Sequence, residues 1–284
     1  MQKRVLAIND ISCIGRCSLT AALPIISSFG VNTTVLPTSI LSTQTGGIDD
    51  YTYHDLSGDI PGILSHWKKL SISFDAIYTG FLGSSEQVDM MLALFSEFPD
   101  AFKLVDPVMG DAGSLYSSFP ADFPQHMKKL CEKADLITPN VTEAALLLDE
   151  EYTKPPYTCD YAEALAERLY ARYGAKVIIT GMHFSYTEDI LGRKTDFLGA
   201  LLFDGKDYEY ALSEHIPGFF HGTGDVFAST LMGAHMQGEE LGKALHTALD
   251  FTYRSIEKTV ELGQDPRFGL AFEYFLSENG KDLV

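Results

Sequence analysis

Residues 161–180 read YAEALAERLYARYGAKVIIT. Up to Gly174 the stretch is amphipathic and of helical length; KVIIT at 176–180 is short, β-rich and continuously apolar from Val177 to Ile179. A strand without polar alternation is covered on both faces, the condition of a parallel sheet lying between helices. The same pairing recurs along the chain. VLAI (5–8) precedes CSLTAALPIISSF, DAIYT (75–79) precedes SSEQVDMMLALFSEF, KLVD (103–106) precedes a loop and FPQHMKKLCEKA, and DLIT (135–138) precedes NVTEAALLLDE. The alternation predicts an α/β fold, a three-layer α/β/α sandwich around a mostly parallel sheet. Two places depart from it. TTVLPTSILSTQ (33–44) reads as two short β pieces with no helix between them, and FLGALLFDGKDYEYALSEHI (197–216) as an antiparallel hairpin turning at Asp204–Gly205.

A chain of 284 residues with 45% hydrophobic content can bury one large core, so residues 1–284 are read as a single domain. The longest apolar stretches are broken well short of a membrane span, and MQKRVLAIND lacks a signal peptide's apolar region and cleavage site. The expectation is a soluble, cytoplasmic protein. A net charge of −18 with no basic footprint argues against a nucleic-acid partner, although a locally positive site could still take an anionic small molecule. Cys13, Cys17, Cys131 and Cys159 are too scattered for a disulfide framework and read as reduced thiols. The eight histidines show no metal-ligand spacing. Arg16 reads as a solvated loop residue, and Trp67 as packing on an apolar helical face.

In an open parallel sheet, ligands bind at the carboxyl ends of the strands. Those ends carry Asn9–Asp10, Gly80, Asp106, Pro139–Asn140 and Gly181. DPVMGD holds Asp106 and Asp111, and Asn140 and Glu143 have the spacing of a capping box, a structural role sufficient by itself. Three carboxylates arriving at one sheet edge nevertheless repel unless a cation joins them, and hard oxygen ligands suit magnesium held partly through water. HGTGDVFAST (221–230) brings glycine amides to the mouth of a helix, where unpaired N–H groups and the dipole receive an anion. Asp225 at that mouth is suited to take a proton from an alcohol held against a γ-phosphate. The plainer alternative is a turn into a helix whose positive end Asp225 complements. The segment is neither a Walker A loop nor a dinucleotide GxGxxG.

Taken in order, NDISCIGRCSL, STQTGG, YTGFLGSSEQ, VDPVMGD, ITPNVTEA and HGTGDVFAS resemble the ribokinase superfamily, and within it the pyridoxal (vitamin B6) kinase branch. The resemblance implies vitamin B6 salvage: transfer of the ATP γ-phosphoryl to the 5′-hydroxymethyl group of pyridoxal, pyridoxine or pyridoxamine. It also implies Mg2+, a monovalent cation (K+ or Na+) and a homodimer. Asp225 matches the catalytic base, and Gly222, Thr223 and Gly224 the anion hole. Asp106, Asp111, Thr138 and Glu143 match the groups around the metals. Asn140 and Thr180, with Gly181 beside them, match positions near the ATP phosphates. HIPGFF, with Pro217 and Phe219, matches the nucleotide lining, and Thr45 and Phe81 the substrate pocket. Asp10 stands where many relatives have serine, and Phe81 where tyrosine is common. Hydroxymethylpyrimidine kinases tend to have cysteine at the position of Asp225. The alternatives are such a kinase or another small-alcohol kinase of this fold and, from a different class, an ATP- or ADP-dependent dehydratase repairing hydrated nicotinamide cofactors.

Overall fold

The structure is a computed structural model and describes residues 2–187 and 194–279. In chain order its elements are β1 (Arg4–Ile14), α1 (Ser18–Ser28), β2 (Asn32–Thr43), β3 (Tyr53–Asp55), α2 (Ile60–Lys69), β4 (Ala76–Thr79), α3 (Ser85–Glu97) and β5 (Phe102–Val105). There follow β6 (Gly110–Asp111), β7 (Ser114–Leu115), α4 (Phe123–Cys131), β8 (Leu136–Ile137), α5 (Val141–Leu148), α6 (Cys159–Tyr173), β9 (Lys176–Thr187), β10 (Lys194–Phe203), β11 (Tyr208–Glu214), α7 (Thr223–Gln237) and α8 (Leu241–Glu261).

Nine strands form one sheet in the order β11-β10-β9-β8-β5-β4-β1-β2-β3. The run from β9 to β2 is parallel, while β3, β10 and β11 are antiparallel additions. Successive strand residues face opposite layers, so an unbroken apolar run serves two cores at once. Leu6, Ile8, Ile77, Val105 and Ile137 pack with side chains of α2 to α6. Val5, Ala7, Ala76, Tyr78 and Leu136 pack with α1, α7 and α8. The sandwich predicted from the alternation is thereby the observed fold. Turn chemistry sets the helix ends: Thr158 caps α6 by accepting from Tyr161 N at 3.2 Å, and Gly174, with φ of 69°, releases the chain into β9. Trp67 packs as expected, edge-on to Phe74 at 6.0 Å between centroids. Among the described residues no helix is long and apolar enough to cross a membrane.

Three strand boundaries differ from the sequence reading. β1 does not stop before Asn9–Asp10; it slips register against β2 between Asn9 and Ile11 and continues to Ile14. The segment 33–44 lies almost wholly in one strand, β2 (Asn32–Thr43), rather than in two pieces, because Pro37 lies outside the stretch Ser39–Leu41 that pairs with β3 and so needs no donor there. Gly181 does not end its strand. With φ of 69° it forms a bulge with Thr180 opposite Ala200, letting β9 leave β8 and run on antiparallel to β10.

From β1 the chain moves through α1 to β2 on one side, then crosses back to place β4 on the other. The strand order therefore reverses between β1 and β4, which opens a crevice at their carboxyl ends.

Candidate active site

Into that crevice points the N-terminus of α7. Its N-cap, Gly222, has φ of 75°, and a Cβ there would press to 2.5 Å against the carbonyl oxygen of Arg16. Glycine is required on both counts. Val226 N is bonded to Gly222 O at 3.0 Å, so the geometry of a first helical turn leaves the amides of Thr223, Gly224 and Asp225 facing outward. Asp225 is recessed in this first turn and accepts from Asn9 Nδ2 at 3.0 Å. Burial pushes its carboxyl from 3.8 up to about 6; the Ser18 amide and Asn9 oppose this, and the Asp10 charge adds to it. Gly224 lies beside a second carboxylate: a Cβ built there would be in ordinary contact, 3.9 Å, with Asp106 Oδ2.

Asp106 directly follows β5, its N bonded to Thr79 O at 2.9 Å, and is buried. Its carboxyl is driven upward by burial and then by repulsion from Glu143 and Asp225. Glu143 closes the capping box read from the sequence. Its Oε2 accepts from Asn140 N and Asn140 Oδ1 accepts from Glu143 N, both at 2.9 Å. Its Oε1 accepts from Met109 N at 3.1 Å, and Asn140 Nδ2 donates to Gly110 O at 2.9 Å, so this pair staples the DPVMGD loop to α5. Burial nevertheless raises the Glu143 carboxyl above the usual range. Asp111 is half-buried on β6, and Thr138 Oγ1 is buried beside the Asp106 carboxyl, whose upward drive it opposes. Among the described residues, no group of three or more His, Cys, Asp or Glu side chains is arranged to hold a metal. What the site offers is an oxygen-only set with uncompensated negative charge, which fits a cation held chiefly by phosphate and water.

Asn140 and Thr180 meet in a backbone bridge, with Thr180 N bonded to Pro139 O at 2.9 Å. Gly181 follows in the bulge. Pro217 and Phe219 lie exposed on the approach to α7, where Phe219 meets the His221 ring edge-on at 4.8 Å. Across the crevice, Asp10 is buried and accepts from Ser12 Oγ at 3.0 Å and Ser18 Oγ at 2.5 Å. Phe81 N donates to Asn9 Oδ1 at 2.8 Å, and its ring lies against Phe119. Thr45 sits in a loop that Gln44 ties to Arg267 O at 2.9 Å and whose Gly46 packs on the His221 ring.

Arg16 is not a solvated loop residue. It pairs with Glu273, donates to Gln264 Oε1 at 2.9 Å, and its N is bonded to Phe268 O at 2.9 Å. Its partners follow it by some 250 positions, beyond any local reading. Gln87 also has an unpredicted role. Wholly buried, it accepts from Gly83 N at 2.8 Å and donates to Thr38 O at 2.9 Å and Ser57 Oγ at 3.0 Å, joining β2, the chain after β3 and the loop carrying Phe81. A glutamine in the first turn of an amphipathic helix carries no signal for this.

A phosphate-ready helix mouth beside a recessed carboxylate, at the switch point of a ribokinase-like sheet, is the arrangement of a kinase for small alcohols. The chain belongs to the phosphomethylpyrimidine kinase family, whose model matches residues 19–268. A Bacteroides thetaiotaomicron protein assigned as a phosphomethylpyrimidine kinase, crystallised with pyridoxal, is 36% identical with a TM-score of 0.87, covering 98% of this chain and 96% of that one. Pyridoxal kinase from Lactobacillus plantarum is 30% identical with a TM-score of 0.86, covering 98% and 97%. The hydroxymethylpyrimidine/phosphomethylpyrimidine kinase of Haemophilus influenzae is 27% identical, covering 92% of this chain and 94% of its own. Membership of a kinase family implies ATP use and sets aside the dehydratase alternative.

Proposed function

We propose that the chain phosphorylates the 5′-hydroxymethyl group of a vitamin B6 vitamer, with Asp225 as general base. The observation that carries this reading is the recessed Asp225 carboxylate at the mouth of α7, where hydroxymethylpyrimidine kinases tend to have cysteine. The alcohol lies between Asp225 and the γ-phosphate of ATP. As its oxygen bonds to phosphorus, the bond to the β–γ bridging oxygen breaks and the alcohol proton passes to Asp225. The amides of Gly222, Thr223 and Gly224 receive the charge on the transferred group. Asn140, Thr180, Gly181, Pro217 and Phe219 hold the nucleotide, and Asp10, Thr45 and Phe81 the ring. Magnesium, when bound, neutralises the phosphates. Asp106, Asp111, Thr138 and Glu143 supply its surroundings and those of a monovalent cation. The same reading makes the protein a cytoplasmic homodimer; its free thiols suit a reducing compartment.

The second reading, hydroxymethylpyrimidine as acceptor, is favoured by the family match and the Haemophilus relative. Purified protein with ATP and magnesium, assayed in parallel against pyridoxal, pyridoxine, pyridoxamine and hydroxymethylpyrimidine, decides between them. The B6 reading expects kcat/KM for at least one vitamer well above that for the pyrimidine, and the reverse order ends it.

Two further results are expected. Because Asp225 must be ionised to accept a proton and its carboxyl stands at about 6, kcat/KM falls below about pH 6, roughly tenfold per pH unit. A pH profile that is flat from 5 to 7 removes the base assignment. Asp10→Ser acts on discrimination. A carboxylate within a few ångströms favours a protonated ring nitrogen or the ammonium of pyridoxamine, so its loss weakens the preference for pyridoxamine or pyridoxine over pyridoxal by about 1 to 2 kcal/mol. Equal losses for all three vitamers, with the pH profile unchanged, would show that Asp10 serves only Ser12 and Ser18.

A further inference from the structure

We propose that Asn9 is a positioning residue for phosphoryl transfer: its side-chain amide fixes the carboxylate of Asp225 in the crevice between β1 and β4. The inference rests on Asp225 being the base. Asn9 is wholly buried. Its Oδ1 accepts from the backbone N of Phe81 at 2.8 Å and of Asp10 at 3.0 Å, and its Nδ2 donates to Asp225 Oδ1 at 3.0 Å. The two backbone groups can only donate, so the amide oxygen must face them and the NH2 must face the carboxylate. Neither orientation nor residue type is free. Aspartate at this position would satisfy both amides yet bring no proton to Asp225, and a shorter side chain would reach neither side.

The surroundings are built to admit this one group. A Cβ on Gly80 would collide with the Asn9 amide, and Gly80 N is held to Ile8 O at 2.8 Å. The register slip that follows Asn9 in β1 accompanies its reach across to α7. With Asn9 and the Ser18 amide holding the Asp225 carboxylate, its remaining acceptor capacity is fixed in direction, and a base must lie within hydrogen-bond reach of the proton it removes. Asp225 is otherwise faced by Asp10 from β1, Tyr78 from β4, Asp106 at the end of β5 and Cys17 at the start of α1. None of these is a cation, so the charged form is supported by neutral donors, Asn9 and the Ser18 amide. The same side chain anchors the backbone of Phe81 and Asp10, so the base and the substrate side of the crevice share one fixed point.

The test uses Asn9→Asp and Asn9→Ala, each alone and with Asp225→Asn, read by kcat, both KM values, pH profile and Tm. Asn9→Asp is nearly isosteric and retains the acceptor for Phe81 and Asp10, but replaces the donor with a second carboxyl 3.0 Å from Asp225, which repels the ionised base. It is expected to lower kcat by about 10- to 100-fold with both KM values changed less than about threefold, and to move the acid limb of kcat/KM upward by about one pH unit. Asn9→Ala moves both in the same direction and serves if the aspartate variant does not fold. Combined with Asp225→Asn, Asn9→Asp costs no further kcat and regains Tm, because the amide at position 225 now donates to the carboxylate at position 9. Wild-type kcat and an unmoved acid limb in the Asn9 variants overturn the proposal, as does the same fractional loss in both backgrounds. Turnover of Asp225→Asn alone within a few-fold of wild type marks instead the failure of the base assignment, which takes this proposal with it.

Discussion

Asp225→Asn lowers kcat by two orders of magnitude or more and makes the protein harder to unfold at pH 7. The first effect follows from the role: asparagine keeps the size of the side chain and cannot take up the alcohol's proton, while the amides at the mouth of α7 and the nucleotide contacts are untouched. ATP binding therefore survives. The second effect follows from the environment. The folded protein holds this carboxyl at about 6 against an ordinary 3.8, so between those values the native state binds more protons than the unfolded one. Stability then falls as pH rises through that window. Above it, the ionised group costs up to about 3 kcal/mol, less whatever solvent at the mouth screens. An amide carries no such charge. Single-turnover kinetics and urea unfolding of the two proteins at pH 7 check both halves. Turnover within a few-fold of wild type denies the catalytic role, and a large loss of stability returns Asp225 to the role of a helix-end charge.

Glu143→Ala is expected to cost about 2 to 4 kcal/mol of stability and to raise the magnesium concentration needed for half-maximal activity. Both carboxylate oxygens of Glu143 are taken by backbone amides, those of Asn140 and Met109, and alanine leaves both donors buried and unpaired. Relief of repulsion with Asp106 offsets part of the loss. The same relief makes the site less negative, and a cation shared with phosphate is then held more weakly. Urea unfolding measures the first effect and a magnesium titration at fixed ATP the second. If magnesium dependence does not change, Glu143 is a staple between the DPVMGD loop and α5 and nothing more.

The parallel strands were legible because burial on both faces leaves a run of apolar residues that little else produces, as in KVIIT and DAIYT. The capping box at Asn140 and Glu143 was legible for a similar reason: all its partners lie within one turn. β3 was not, since Tyr53–Asp55 is three residues long, exposed and without an apolar pattern. β1 and β9 were read short because Asn9, Asp10 and Gly181 look like loop residues, whereas the strands run on through them across a register slip. The motifs named the mouth of α7 and the acidic loop but not how they are held. Arg16, Gln87 and Asn9 act through partners on other elements, and polar side chains of that kind carry no periodic signal in the sequence.

The bond between Asn9 and Asp225 closes a span of 216 positions. During synthesis, β1 and much of the parallel sheet leave the ribosome long before α7 exists, so the nascent chain already carries the acidic loop, Asn140, Thr180 and Gly181 but neither the glycine mouth of α7 nor Asp225. Closing so long a loop is favourable only once the sheet between its ends has formed. On the proposed roles of Asp225 and the mouth of α7, an unfinished chain cannot consume ATP wastefully, and the competence to transfer phosphate arrives together with the completed fold.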